Sequence, residues 1–354
     1  MNLLAITLIV FASFFQGTFG LGMKHIAPLK WENWWLVHSF IAMIAFPIIW
    51  SLIVVPETFQ IIAGTDTSVL MMAMMYGFLW GIGGILFGIS VEYTGISITY
   101  GIVMGLAASV GSLIPLFQME QLPSNINMVL AGVALLLVGV GITAIAGVKR
   151  DSVQNGGEEA NDFDTLEDDA DVLTLAEPKV AAPKKSIKVG VAIATACGVL
   201  SAALNVGFSN AAPVAASAVT NFGADPKDAS LVAWVVVLIG AFIMNGGYAL
   251  FKLVQNNSWS SFKVANSGNA YKWSILAGLF WFAALGVYGQ GAALMGTLGP
   301  VIGWPILLGL ALIISNVWGY RSGEWKGAKQ PFNILLGGLA VLIVAVCLLG
   351  YANY

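Results

Sequence analysis

Charge is what this chain has least of. Of its 354 residues only 9% are Asp, Glu, Lys or Arg, while 58% are hydrophobic; a soluble domain carries about 25% charged residues. A globule of this length leaves about a quarter of its surface in water, and 15 basic and 18 acidic side chains cannot cover it. A soluble enzyme and a nucleic-acid binder are thereby excluded. Histidine is almost as scarce. His25 and His38 are the only two, and neither has a metal-ligand partner at helical spacing, so no metal site is expected. Cys197 and Cys347 each lie inside an apolar run and read as small packing residues, not a disulfide framework. H-E-x-x-H, G-x-S-x-G and the phosphate-binding loop are missing, so neither catalysis nor a cofactor is expected. The apolar start, 1–22, has no basic leader and no small-x-small cleavage site before Lys24; it reads as an uncleaved first helix.

What the chain does have is long apolar runs. A bilayer core of about 30 Å takes roughly 20 helical residues to cross. Ten runs qualify: 2–22, 35–55, 69–90, 96–117, 127–147, 189–210, 229–251, 273–294, 299–319 and 331–351. No charged residue falls inside them, and the short alternating segments of a β-barrel are absent. Spans one to ten follow in that order. Loops after odd-numbered spans carry 14 of the 15 basic residues, and Lys227 alone lies on the other side. The odd loops therefore face the cytoplasm and both termini face the periplasm. Trp31, Trp34, Trp35, Trp259, Trp273, Trp318 and Trp325 stand near run ends, where interfacial anchors belong.

Residues 149–188 form the one long polar stretch. Ten of the 18 acidic residues lie between Asp151 and Glu177, with too few aromatic and β-branched residues to build a core, so a disordered linker is expected. It divides the chain into 1–148 and 189–354, five spans each. A shift of 206 residues pairs Asn127 with Asn333, Gly132 with Gly338 and Val140 with Val346; Gly-Leu-Ala recurs at 105–107 and 309–311. An odd number of spans per half makes the halves insert with opposite topology. The expected fold is thus an all-α integral membrane protein of ten transmembrane helices in two inverted five-helix repeats, with a site near the midplane between them.

Amides inside hydrocarbon are costly unless paired. Gln16, Asn205, Asn210 and Gln290 should therefore face the interior, either bonding helix to helix or lining a path for a polar, uncharged ligand. Gln16 and Asn205 fall at comparable places in the two halves. Trp80 and Trp281 lie mid-span; each either packs the core or offers an indole face to a sugar. For a proton the candidates are His38, near the cytoplasmic end of span two, and Glu92, in the turn after span three. Both also read as ordinary interfacial groups.

The stretch YGFLWGIGGILFGISVEYTGISITYGIVMGLAASVGSLIP, residues 76–115, resembles the third and fourth helices of the L-rhamnose–proton symporter family of the drug/metabolite transporter superfamily. CGVLSAALNVGFSNAAP, residues 197–213, resembles its sixth helix, with shorter matches at KWENWW (30–35), GLFW (278–281) and EWKGA (324–328). The resemblance implies a ten-helix carrier in a bacterial inner membrane, taking up a deoxy sugar with a proton by alternating access. Its partners would be the sugar, the proton and the lipid bilayer, with no nucleic acid; a homodimer is compatible with it. Two other readings stay open: an exporter or facilitator of another small metabolite, which the apolar segment 288–304 suits, and a scaffold whose acidic linker binds a cytoplasmic partner.

Overall fold

The computed structural model describes residues 3–154 and 186–352. Among them there is no strand. Helices occupy Leu3–His25, Trp31–Val54, Thr67–Phe117, Ile126–Gln154, Ile187–Asn210, Pro226–Gln255, Gly268–Leu294, Trp304–Arg321 and Lys329–Tyr351. The 51-residue run is two spans. At Gly95 the backbone turns to φ 73°, ψ 164°, a region open to glycine and strained for other residues. The chain reverses there: Thr99 pairs its hydroxyl with Ser90 (3.1 Å) and Thr94 (2.8 Å) across the bend. All ten expected spans are present.

Most of the polar stretch, 155–185, lies outside the described residues. At its edges, span five continues to Gln154 and span six begins at Ile187. Asp66 and Asp225 cap spans three and seven, accepting the N–H of Ser68 (2.7 Å) and Lys227 (3.0 Å). Those bonds, from Ser68 and from Lys227, hold both carboxyls below the ordinary carboxylate value. Span two carries a π-turn at Ile41–Ala45 just before Pro47, whose missing N–H removes one ladder bond. A second π-turn, Gly299–Gly303, leads into span nine.

The odd-numbered loops meet at one end. Lys24 and Arg150 both reach Glu324 (3.0 and 3.6 Å), Gln154 donates to the Glu324 carbonyl, and Asn33 donates to the Ser258 carbonyl (3.1 Å). At the other end Asn125 donates to the Ala352 carbonyl, and Gln290 to Asp228 (2.8 Å).

Reciprocal contacts fix how the halves correspond. Gly132 faces Leu349 and Gly338 faces Thr143; the shift of 206 carries one contact onto the other. Gly22 faces Ala277 where Gly207 faces Tyr76, and Gly291 faces the Ala5 carbonyl where Ser90 donates to that of Gly190. These two pairs set a shift of 185 for spans one and six and 201 for spans three and eight. Gly77 meets Ala241 and Gly278 meets Ile41, a shift of 200 for spans two and seven. Gly-Leu-Ala supplies 204 for spans four and nine.

Three expectations need correction. Asn205 corresponds to Gly20, and Gln16 to Ser201, one helical turn from the expected match; apolar helices slip by a turn without changing their hydropathy. Trp34 is no interfacial anchor, because it is fully buried and stacked on His38 (5.3 Å, 11°). Span two begins at Trp31, so Glu32 enters the first turn of the helix. There it is 4% exposed and accepts from the Ser258 hydroxyl (2.5 Å) and the Asn256 amide (3.1 Å).

Candidate functional site between the two halves

The centre is aromatic. Trp80 on span three and Trp281 on span eight meet with ring centroids 5.3 Å apart and planes inclined by 33°. The shift of 201 carries one onto the other, so their contact lies on the pseudo-two-fold axis between the halves. Span one packs between spans eight and nine. Phe15 touches Phe280 (5.6 Å), which sets the neighbouring Gln16 at the level of Trp281. The Gln16 Oε1 is buried and has no hydrogen-bond partner. A buried acceptor left unpaired costs about 1–3 kcal/mol, and a ligand hydroxyl at this level would satisfy it. Two indoles and an unpaired buried amide oxygen, with no charged group at their level among the described residues, match a ligand with apolar CH faces and hydroxyl donors.

Towards the end bearing the even-numbered loops, the interior is sealed. Asn205 is wholly buried and fully bonded: it donates to the carbonyls of Gly111 (2.8 Å) and Pro300 (2.9 Å) and accepts from the Tyr288 hydroxyl (2.6 Å). Tyr288 packs against Trp304 (5.5 Å) and Phe208 (5.7 Å), and Phe208 stacks on Trp234 (4.5 Å, 13°). Trp304 donates to the Ala107 carbonyl (2.9 Å). One side-chain network thus ties spans four, six, eight and nine. Beyond it, Asn210 donates to its own helix at Val206 (2.8 Å), and Gln290 is held by Asp228.

Towards the other end lies His38, 1% exposed, between the rings of Trp34 and Trp35 (5.3 and 5.0 Å) and near Phe19 (6.4 Å). Its Nδ1 has no partner. Trp35 donates to Asn245 (3.3 Å) on span seven. Glu92 is exposed at the foot of span three, on a different part of this end.

The structure therefore brings Gln16, Trp80 and Trp281 to one level, and places Asn205 one layer outward as a structural clasp. Asn210 and Gln290 lie further out, and His38 and Glu92 inward and apart. Sequence reasoning places Tyr288 among the polar residues of the spans that face the interior but not as the donor that completes Asn205, and it passes over Glu32. A hydroxyl amid a small apolar segment was the available signal for the first. An apolar groove of about 690 Å³ between spans four and five, lined by Gly101, Gly105, Val140, Gly141 and Ala144, lies away from the axis and is not part of this site.

Comparisons with known proteins bear on the family and the fold. The family model described as L-rhamnose-proton symport protein matches residues 3–168 and 170–353. An L-rhamnose-proton symporter of Escherichia coli O1:K1 is 26% identical over 338 residues, covering 92% of this chain and 91% of the relative. One from Citrobacter koseri is also 26% identical, with the same coverage. A solved crystal structure at 15% identity superposes with a TM-score of 0.55 over 97% of each chain, a likeness of fold.

Proposed function

The chain belongs to the L-rhamnose-proton symport protein family, and we propose that it imports L-rhamnose or a related deoxy sugar together with a proton, by alternating access. It is a multi-pass membrane transporter, not an enzyme. The observation that carries the substrate class is the Trp80–Trp281 pair on the axis, with the unpaired Gln16 oxygen at the same level of span one. Indoles stack on the CH faces of a pyranose, the amide takes a hydroxyl, and the absence of charge at that level selects against ionic ligands.

The halves 1–148 and 189–354 rock about this axis, joined by 149–188. Basic loops set the odd-numbered side in the cytoplasm of a bacterial inner membrane and both termini in the periplasm, for a carrier working alone or as a homodimer. Trp80, Trp281 and Gln16 hold the sugar; Asn205 clasps the outer end shut over it, and Asn210 and Gln290 beyond it line the outer approach. Of the two proton candidates, His38 has the better support. It lies inside a span among indole rings at the odd-loop end, and one ring nitrogen is unpartnered. Glu92, exposed at the same end, is second. The test is sugar uptake into proteoliposomes with and without an imposed pH gradient. Accumulation that follows the gradient, and is lost in Trp80→Ala and Trp281→Ala, is the expected result. Uptake indifferent to the gradient removes the proton, and uptake unchanged in both variants removes the site.

A further inference from the structure

The correspondence between the halves lets each end of the carrier be compared with its twin. At the sealed end, Gly289 lies so close to span seven that a methyl group on it would stand 2.5 Å from Trp234 Nε1 and 3.1 Å from the Ser230 hydroxyl. The shift of 201 carries Gly88 onto Gly289, and the shift of 200 carries Trp34 onto Trp234. Both tryptophans are fully buried with an unpartnered indole N–H, which marks them as equivalent. Their surroundings differ. Gly88 is exposed, and a methyl group on it would meet nothing within 4 Å.

The same asymmetry repeats along these helices. Leu285 is 1% exposed, whereas its counterpart Gly84 is open, with nothing within 4 Å. Asn205 is clasped by three partners, whereas Gly20 stands in open space. Trp304 is 4% exposed and Tyr100, its counterpart by the shift of 204, is 36% exposed. Spans seven and eight pack together while spans two and three barely touch. On span three, Gly83 faces span six and Gly81 faces span seven. Trp80 and Gly84 project between those directions at 100° per residue, towards the axis and not the lipid.

We infer that Gly84 and Gly88 on span three are the contact surface of the inner gate, which shuts by seating Gly88 against Trp34 as Gly289 already seats against Trp234. The structure is the state shut at the even-loop end and open at the odd-loop end. Glycine is needed at 88 for the shut state and serves no packing purpose in the open one. This inference rests on the reading of the chain as an alternating-access carrier.

Two measurements test it. In a background of Cys197→Ala and Cys347→Ala, Gly88→Cys should react with a membrane-impermeant thiol reagent in inside-out vesicles, and Leu285→Cys, at the buried counterpart of Gly84, should resist it in spheroplasts. Gly88→Leu, which has room in the open state, should leave the melting temperature unchanged and lower L-rhamnose uptake about tenfold or more, since one of the two states is removed. A Gly88→Leu carrier keeping more than half its uptake, or an unreactive Gly88→Cys beside a reactive Leu285→Cys, overturns the inference. The expected labelling in a protein that carries no rhamnose overturns the substrate assignment and leaves the gate supported, because labelling needs no substrate.

Discussion

Tyr288→Phe isolates one hydrogen bond at the sealed end. The hydroxyl donates to Asn205 Oδ1 at 2.6 Å, and both side chains are inaccessible. Phenylalanine keeps the ring and its contacts with Trp304 and Phe208, so packing is conserved and one acceptor is left bare. An unpaired buried acceptor costs about 1–3 kcal/mol; inside membranes such bonds have averaged nearer 0.6 kcal/mol, with a maximum of about 1.7. A value of about 1.4 kcal/mol is a factor of ten in an equilibrium. If the bond exists only while this end is shut, the whole loss falls on that state. Ser209, half-buried one turn beyond Asn205, is a suitable reporter. Ser209→Cys in the Tyr288→Phe background should be labelled from outside about threefold to tenfold faster than in the parent. A lower melting temperature with an unchanged labelling rate would refute the reasoning, because it would mean that the bond persists in both states and is plain scaffolding.

Gln16→Ala removes a buried oxygen that has no partner, so the free protein should lose no stability while its affinity for sugar falls by about 1 kcal/mol or more; thermal melts with and without L-rhamnose read both. His38→Gln should abolish accumulation driven by a pH gradient and spare sugar exchange at equal pH; if accumulation survives, the proton binds elsewhere. Gly240→Ala drives a methyl group into the backbone of Met74, where nothing flexible can yield. We expect loss of the monodisperse folded protein on size exclusion, since overpacking of this kind costs about 1–3 kcal/mol even where side chains can give way.

The ten spans were legible because length and hydropathy alone decide them, and the clustering of basic residues was enough to put Lys24, Arg150, Ser258 and Glu324 at one end. The shift of 206 was legible from paired glycines. The match of Gln16 with Asn205 was not: in an apolar helix neither the interior nor the lipid face is polar, so the pattern carries no phase, and only the contacts of Gly22, Gly207 and Gly291 fix the register. Trp34 and Glu32 were misplaced for a related reason. Residues at a helix start look interfacial in any hydropathy profile, and burial there depends on a loop more than 200 residues away, at Asn256 and Ser258. The site was half visible. Mid-span indoles and amides pointed to the centre, but the sequence does not show which amide is already satisfied.

A pair of identical residues meeting on a two-fold axis has a kinetic meaning. At the proposed site an incoming molecule meets Trp80 from one side where a departing one meets Trp281, so the stacking surface would offer the same affinity in both directions. At the level of the tryptophans, what distinguishes the two faces is Gln16 against its counterpart Ser201. Half-saturation constants for entry and exit should therefore differ by what one amide adds over one hydroxyl and by the cost of opening the Asn205 clasp, which Gly20 does not reproduce. The direction of net flux is then set by the gradients across the membrane and not by the shape of the binding surface.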